Sequence, residues 1–345
     1  MTLLRTHNPI HPLPPEVARE LMARFIDQDT DPLLVGACLA LLAQRTPTAE
    51  ELTAFAAELD AVARPFPLTD REVLDTCGTG GDGASTANLS TLAALFLASR
   101  GIPVAKHGNR AATSTCGSAD LLESLGHVLE RGEDELRADL RDRHFAFLFA
   151  PAYHPLLGRL KEIRKRLGIP TIFNLLGPLL NPARPAYQLL GVAREELLAP
   201  MAGALAARGV KRAFVIHGKD AEGRGLDEAS LEGPTLVVPV VEGRVLPREV
   251  LVPRDLGIAM PPREALVVRS RGEAVTVAQG LLGGQETATF RPAVADAVAL
   301  QAALGLLLVK GQDLPALAPT FRVLRTELAR GFAAPLISSL AEVRS

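Results

Sequence analysis

The sequence has no tryptophan, two tyrosines and only three cysteines in 345 residues. Cys38, Cys77 and Cys116 are too few and too scattered for a disulfide framework or a thiolate metal set. The seven histidines are dispersed as well, with no paired spacing for zinc. Neither sign of charge is in excess: 37 Lys and Arg stand against 39 Asp and Glu, for a net charge of -2. With a pI near 6.4 there is no basic footprint for nucleic acid, and 48% hydrophobic residues argue against disorder. No uninterrupted apolar stretch of about 18 residues suggests a membrane span. The amino terminus, with Arg5 and His7, lacks the apolar core of a signal peptide. The expectation is a cytoplasmic protein with neither nucleic acid nor membrane as partner.

Glycine is plentiful, and four of the 29 fall within six positions at Gly78, Gly80, Gly81 and Gly83. Such a cluster removes the Cβ atoms that keep a backbone away from a ligand, and it permits positive φ. Val73 and Leu74 read as the end of a buried strand before it, and Asn88 to Arg100 has helical spacing after it. Strand, glycine loop and helix together form an anion site suited to phosphate or pyrophosphate. Asp82 conflicts with that charge unless a cation or a sugar hydroxyl lies between. The loop also matches G-x-G-x-x-G, but a dinucleotide site needs an acid at the end of the next strand. Here that run ends in Lys106, which suits phosphate. A lysine-bearing phosphate loop of the GxxxxGK type is absent, because no Lys follows Gly83. Cys77 beside the loop reads as a small buried residue rather than a reactive thiol.

GTGGDG at 78–83, NLST at 88–91 and KHGNR at 106–110 follow in order, with RKRLG at 164–168, NLLGP at 174–178, NP at 181–182 and LDEAS at 226–230. This series resembles the anthranilate phosphoribosyltransferase family, strongly over about residues 70 to 235. The resemblance implies transfer of the phosphoribosyl group of phosphoribosyl pyrophosphate to the amine of anthranilate, releasing pyrophosphate, as the second step of tryptophan synthesis from chorismate. It implies a fold of the type III or class IV phosphoribosyltransferase kind, magnesium at two ions per monomer, and a homodimer through the amino-terminal helices. Carried over residue by residue, it places phosphoribosyl pyrophosphate against Gly78, Gly81, Asp82, Thr86, Asn88, Leu89, Ser90, Thr91, Lys106, His107, Gly108, Asn109, Arg110, Ala111, Ala112, Thr113, Ser114 and Ser118. Anthranilate would meet Gly78, Asn109 and Arg164, with His107, Tyr153, His154 and Gly177 lining the site. Magnesium would bind Ser90, Asp227 and Glu228. His107 fits either a general base or a packing and hydrogen-bonding role, and Thr113 and Ser114 fit either ligand contacts or turn formers. Thr115 and Cys116 stand where the family usually has Lys and Ser, and the segment 218–225 is longer than usual.

The fold class expected is α/β: a small helical domain at 1–66, joined by part of 155–182, and a large domain at 67–345 with a mostly parallel central sheet flanked by helices. Pro15, the pair Asp31 and Pro32, and the capping-box pair Thr48 and Glu51 mark three helix starts. Strands are expected at 145–150, 188–192, 213–216 and 235–241, and helices at 195–208, 291–308 and 317–343, with Ser118 capping another. Two rivals remain. A pyrimidine nucleoside phosphorylase has a similar architecture, but the KHGNR run favours the first reading, and a nucleic-acid-binding paralogue would need a basic surface and a damaged Asp227 and Glu228 pair.

Overall fold

The computed structural model describes residues 7–68, 72–111, 115–333 and 336. Three helices come first: α1 (Pro15–Ile26), α2 (Pro32–Leu42) and α3 (Ala49–Ala61). Their starts are fixed locally. Asp31 accepts the Leu33 N–H at 2.9 Å, and Thr48 accepts the Glu51 N–H at 3.2 Å while Glu51 accepts the Thr48 N–H at 2.9 Å. Glu51 is fully buried, because its carboxylate also takes the Leu13 N–H at 2.8 Å and pairs with Arg45. One side chain therefore closes a helix end and pins the segment ahead of α1.

Strands and helices then alternate: β1 (Leu74–Gly78), α4 (Leu89–Ser99), β2 (Val104–Gly108), α5 (Ser118–Ser124), α6 (Glu133–Asp142) and β3 (Phe145–Phe149). After α7 (Gly158–Leu167) and α8 (Ile172–Leu176) come β4 (Tyr187–Gly191), α9 (Leu198–Ala207), β5 (Arg212–Lys219), β6 (Gly225–Leu226), β7 (Thr235–Val241), β8 (Arg244–Val245) and β9 (Glu249–Leu251). The helices α10 (Arg271–Gly283), α11 (Pro292–Val309) and α12 (Leu317–Ala329) close the chain. The strands run β3-β2-β1-β4-β5 in parallel, and β7 adds to β5 antiparallel. The order reverses between β1 and β4. In open α/β sheets the crevice beyond the strand ends at such a reversal is where ligands bind.

Helices cover both faces. On one, α4, α10, α11 and α12 share a core with Leu74, Leu189, Phe214 and Phe145. On the other, α1 to α3 pack with Leu160, Ile172, Leu176 and Leu180, and the same apolar cluster continues through α9 to Leu190 and Val215 of the sheet. The amino-terminal helices and the middle segment thus share one core with a sheet face. Helix α11 has the length and composition to cross a membrane, yet 83% of it is buried inside the fold. It packs against α4, α12 and β4.

Several boundaries differ from the sequence reading. Strand β1 begins at Leu74, where a strand end was expected, because Asp75 and Thr76 find buried partners on distant segments. Gly117 rather than Ser118 caps α5, and Ser118 is its first residue. The last long helix stops at Ala329 and turns at 330–333; Leu336 is helical again, and the rest of the run expected to 343 lies outside the described residues. Helices α6 and α10 were not anticipated.

Candidate active site

The site is built where β1 and β4 end side by side, with Gly78 paired to Gly191. The backbone of Asp227 crosses over both. A Cβ on Gly191 would lie 1.6 Å from the Asp227 carbonyl oxygen, and one on Gly78 would lie 2.2 Å from its Oδ2. Bare backbone at these strand ends is what lets the 227–228 turn reach the loop. Gly80, Gly81 and Gly83 take φ of 67°, 88° and 68°, so the loop needs their left-handed freedom. Gly80 N–H then donates to Asp227 Oδ2 at 2.6 Å, and the Thr86 hydroxyl donates to Glu228 Oε2 at 2.9 Å. Asp82 Oδ1 accepts the Ala84 N–H at 3.0 Å, and the Thr79 hydroxyl accepts the Ala193 N–H at 3.2 Å.

Three carboxylates face one another here. Burial among protein atoms, and then the charges of Asp82 and Glu228, hold Asp227 well above the usual carboxylate range. Glu228 is pushed up to about 7 by burial and then by Asp82, against the pull of the Thr86 hydroxyl and Lys106. Both side chains keep part of their surface open, so like-charge crowding is the contribution that a bound cation relieves. Among the described residues no three His, Cys, Asp or Glu side chains form a ready-made metal cage. A hard cation that keeps its waters and borrows phosphate oxygens needs no such cage, and two carboxylates beside the Ser90 hydroxyl fit that demand.

Lys106 lies beneath, 2% exposed on β2. Its Nζ donates to the Thr76 carbonyl and, at 3.4 Å, to Ser90 Oγ. Burial lowers its pKa, and Asp75 opposes that shift. Asp75 is itself pushed up to about 6 by burial, with Lys106 and Asn181 holding it back. Asn181 Nδ2 bonds Asp75 Oδ2 at 2.9 Å and the Ala105 carbonyl at 2.8 Å, which joins β1, β2 and the 181–182 turn. Sequence reasoning missed Asp75 and gave Asn181 no role. An acid directly after the apolar pair Val73 and Leu74, at the head of the glycine loop, was the available signal.

Asn88 starts α4 in the left-handed region, at φ 48°, and its Nδ2 donates to the Cys116 carbonyl at 2.8 Å. That bond brings the segment after β2 over the helix end, where the Leu89, Ser90 and Thr91 backbone begins. Gly117 permits the turn, since a Cβ there would sit 2.3 Å from Ala111 N. Ser118 Oγ donates to the Asn109 carbonyl at 3.3 Å and lies close over Gly108. Arg110, expected at the ligand, donates to Glu123 at 2.8 and 2.9 Å. Ala112, Thr113 and Ser114 lie outside the described residues. Thr115 is exposed and Cys116 buried.

The residues expected for the aromatic substrate divide. His107, His154 and Gly177 come together: the two rings are 5.3 Å apart, and the Gly177 backbone lies close enough to His107 to favour its protonated form. Burial, then His154, lowers the His107 pKa to about 3, so its ring is neutral and a weak base. His154 Nε2 lies 2.9 Å from the Leu180 carbonyl. Arg164 reaches the same helix and turn, donating to Asn174 Oδ1 at 3.3 Å with its guanidinium 5.6 Å from the Phe173 ring. Asn109 is exposed at the end of β2, with its Oδ1 taking the Arg110 N–H at 2.8 Å. Tyr153 departs from the group. Its ring packs edge-on against Phe66 at 6.1 Å, on the other side of the 150–154 turn. The thiol of Cys77 accepts from Gln188 at 3.3 Å, and burial raises its pKa, as an inert residue requires.

Residues 70–334 match the model of the glycosyl transferase family, a/b domain. Anthranilate phosphoribosyltransferase of Synechococcus elongatus is 42% identical over 94% of this chain and 90% of its own length. The chain belongs to the anthranilate phosphoribosyltransferase family. Another member of the family, from Idiomarina loihiensis, is 41% identical over 85% of this chain and 84% of its own. The family's crystal structure from Thermus thermophilus superposes with a TM-score of 0.87 at 38% identity, covering all of both chains. The Saccharomyces cerevisiae enzyme in complex with PRPP and Mg gives 0.79 at 25% identity, over 95% of this chain and 91% of that one.

Proposed function

We propose that this chain transfers the phosphoribosyl group of phosphoribosyl pyrophosphate to the amine of anthranilate. The observation that carries the reading is the convergence of the glycine loop, Lys106 and the pair Asp227 and Glu228 beyond the reversal point of the sheet. The amine nitrogen attacks C1 of the ribose as the C1–oxygen bond to pyrophosphate breaks, and the spare amine proton leaves to water or to a pyrophosphate oxygen. Pyrophosphate is already a good leaving group, so the protein's task is to position the reactants and neutralise charge.

The loop from Gly78 to Thr86 and the backbone of Asn88, Leu89, Ser90 and Thr91 cradle the pyrophosphate and ribose, with Lys106 and the 108–118 segment on the phosphates. Asp82 meets a sugar hydroxyl or a cation's water. Ser90, Asp227 and Glu228 would hold magnesium, at the two ions per subunit the resemblance implies, and magnesium there would supply charge neutralisation of the pyrophosphate. Arg164 pairs with the anthranilate carboxylate, while neutral His107, Asn109, His154 and Gly177 shape the pocket. The helical unit 1–66, with part of 155–182, closes over the larger unit 67–345. It also pairs two subunits: α2 leaves Leu33 80% exposed, with Ala37 open beside it. The location proposed is the cytoplasm.

Loss of anthranilate fluorescence on mixing with phosphoribosyl pyrophosphate tests the reaction. Quenching with magnesium, abolished by EDTA, is the expected result. Phosphorolysis of thymidine by folded protein that leaves anthranilate untouched would favour the nucleoside phosphorylase instead.

A further inference from the structure

A second cavity lies apart from the loop and its carboxylates. It holds about 250 Å³, below the usual range of drug-sized pockets and enough for a single small ring. Three separate pieces of chain wall it: Arg64 and Pro65 after α3, the 129–136 segment leading into α6, and the 149–153 segment leaving β3. The Arg64 N–H donates to the Tyr153 carbonyl at 2.8 Å, which ties two of those pieces together. Phe147 and Phe149 supply an aromatic wall, 0% and 8% exposed.

Arg131 is the telling residue. Its side chain is 9% exposed, and Nε lies 3.0 Å from Asp139 Oδ2 without hydrogen-bond geometry. Nη1 is buried and donates to nothing. Asp139 is shared with Arg143 at 3.0 Å, and the half-exposed Glu135 stands 3.6 Å from Arg131 Nη2, which leaves Nη1 as the donor that neither acid takes. Glu133, the acid on the rim, is engaged by Arg137 at 2.6 Å. Arg64 adds a second positive charge at the mouth, and the Tyr153 hydroxyl, kept protonated by burial, adds a donor. A buried guanidinium with unused donors is costly unless something accepts from it. Its planar fork matches a carboxylate.

We infer that this cavity binds a small monocarboxylate with a single ring or branched apolar body, its carboxylate on Arg131 and its body against Phe147 and Phe149. His107, Asn109, Arg164 and Gly177 do not line it, so it is separate from the site proposed for anthranilate. Tyr153, which the family resemblance placed with anthranilate, belongs to this second cavity.

Two measurements test the assignment. Crystals soaked in 4-bromobenzoate should show an anomalous bromine peak in the cavity, beside Phe147 and Phe149. Calorimetric titration of benzoate into Arg164→Ala protein, which silences the proposed anthranilate site, should show binding weakened at least tenfold by Arg131→Lys. Ala152→Leu, which fills the cavity from its wall and removes no contact, should weaken it equally and decides the matter if Arg131→Lys does not fold. A bromine peak only beside Arg164, no peak at all, or a benzoate affinity that Ala152→Leu leaves unchanged would overturn the proposal.

Discussion

Gly191 shows how much a single position carries. Its missing side chain is the space that the Asp227 backbone occupies, and a backbone neighbour cannot swing aside as a flexible side chain would. Gly191→Ala should displace the 227–228 turn and cut kcat about a hundredfold, the scale set by misplacing a group by about 1 Å; steady-state rates at saturating magnesium, with a circular-dichroism check of folding, would read it. Arg164→Ala removes a charge-assisted pair worth about 2 kcal/mol. The KM for anthranilate should therefore rise about thirtyfold, with little change in that for phosphoribosyl pyrophosphate; equal changes in both would remove Arg164 from the anthranilate site. Asp75 has a folded pKa of about 6, above its ordinary 3.8, so the native state holds its proton more tightly than the unfolded chain. Ionising this group costs stability as pH rises through that window, and the cost is complete above it. Asp75→Asn should lack that decline when denaturant unfolding is compared between pH 4.5 and 7.

At the scale of elements, local signals and long-range ones separate cleanly. The helix starts at Asp31 and Thr48 were legible because a cap is a contact within three residues. The strand at 235–241 was legible from its run of β-branched residues. Strand β1 was misjudged because the polar Asp75 and Thr76 look like loop until Asn181 and the Ser90 carbonyl arrive from elsewhere. The pair Asp227 and Glu228 was readable only through the family motif, since adjacent acids by themselves usually mark a polar turn. Tyr153 and Arg110, which the resemblance places at the ligand, have partners that sequence position does not reveal, the Phe66 ring and the Glu123 carboxylate. Glu51 offers an element-scale test. Because it caps α3 and is the buried partner of Arg45, Glu51→Ala should cost about 3 kcal/mol in denaturant unfolding, against about 1 kcal/mol for an exposed cap.

For the molecule as a whole, the reversal of strand order decides where chemistry can occur, and the shared core beneath α1 to α3 decides what that site is coupled to. The double variant Asp227→Ala with Glu228→Ala should fold and lose magnesium-dependent turnover. Undiminished activity at limiting magnesium would take both residues out of the site. Leu33→Glu tests the subunit pairing proposed through α2: it should shift the protein toward monomer in sedimentation, with the fold retained.

Gly80 and Asp227 meet across 147 positions of chain, and that span has a consequence in time. During synthesis the glycine loop emerges long before the acids that complete it, so nothing in the first half of the chain can bind magnesium and pyrophosphate together. The 227–228 turn reaches the loop through β4 beside β1 and β5 beside β4. A ligand held by both the loop and that turn would stabilise only the chain whose sheet is complete.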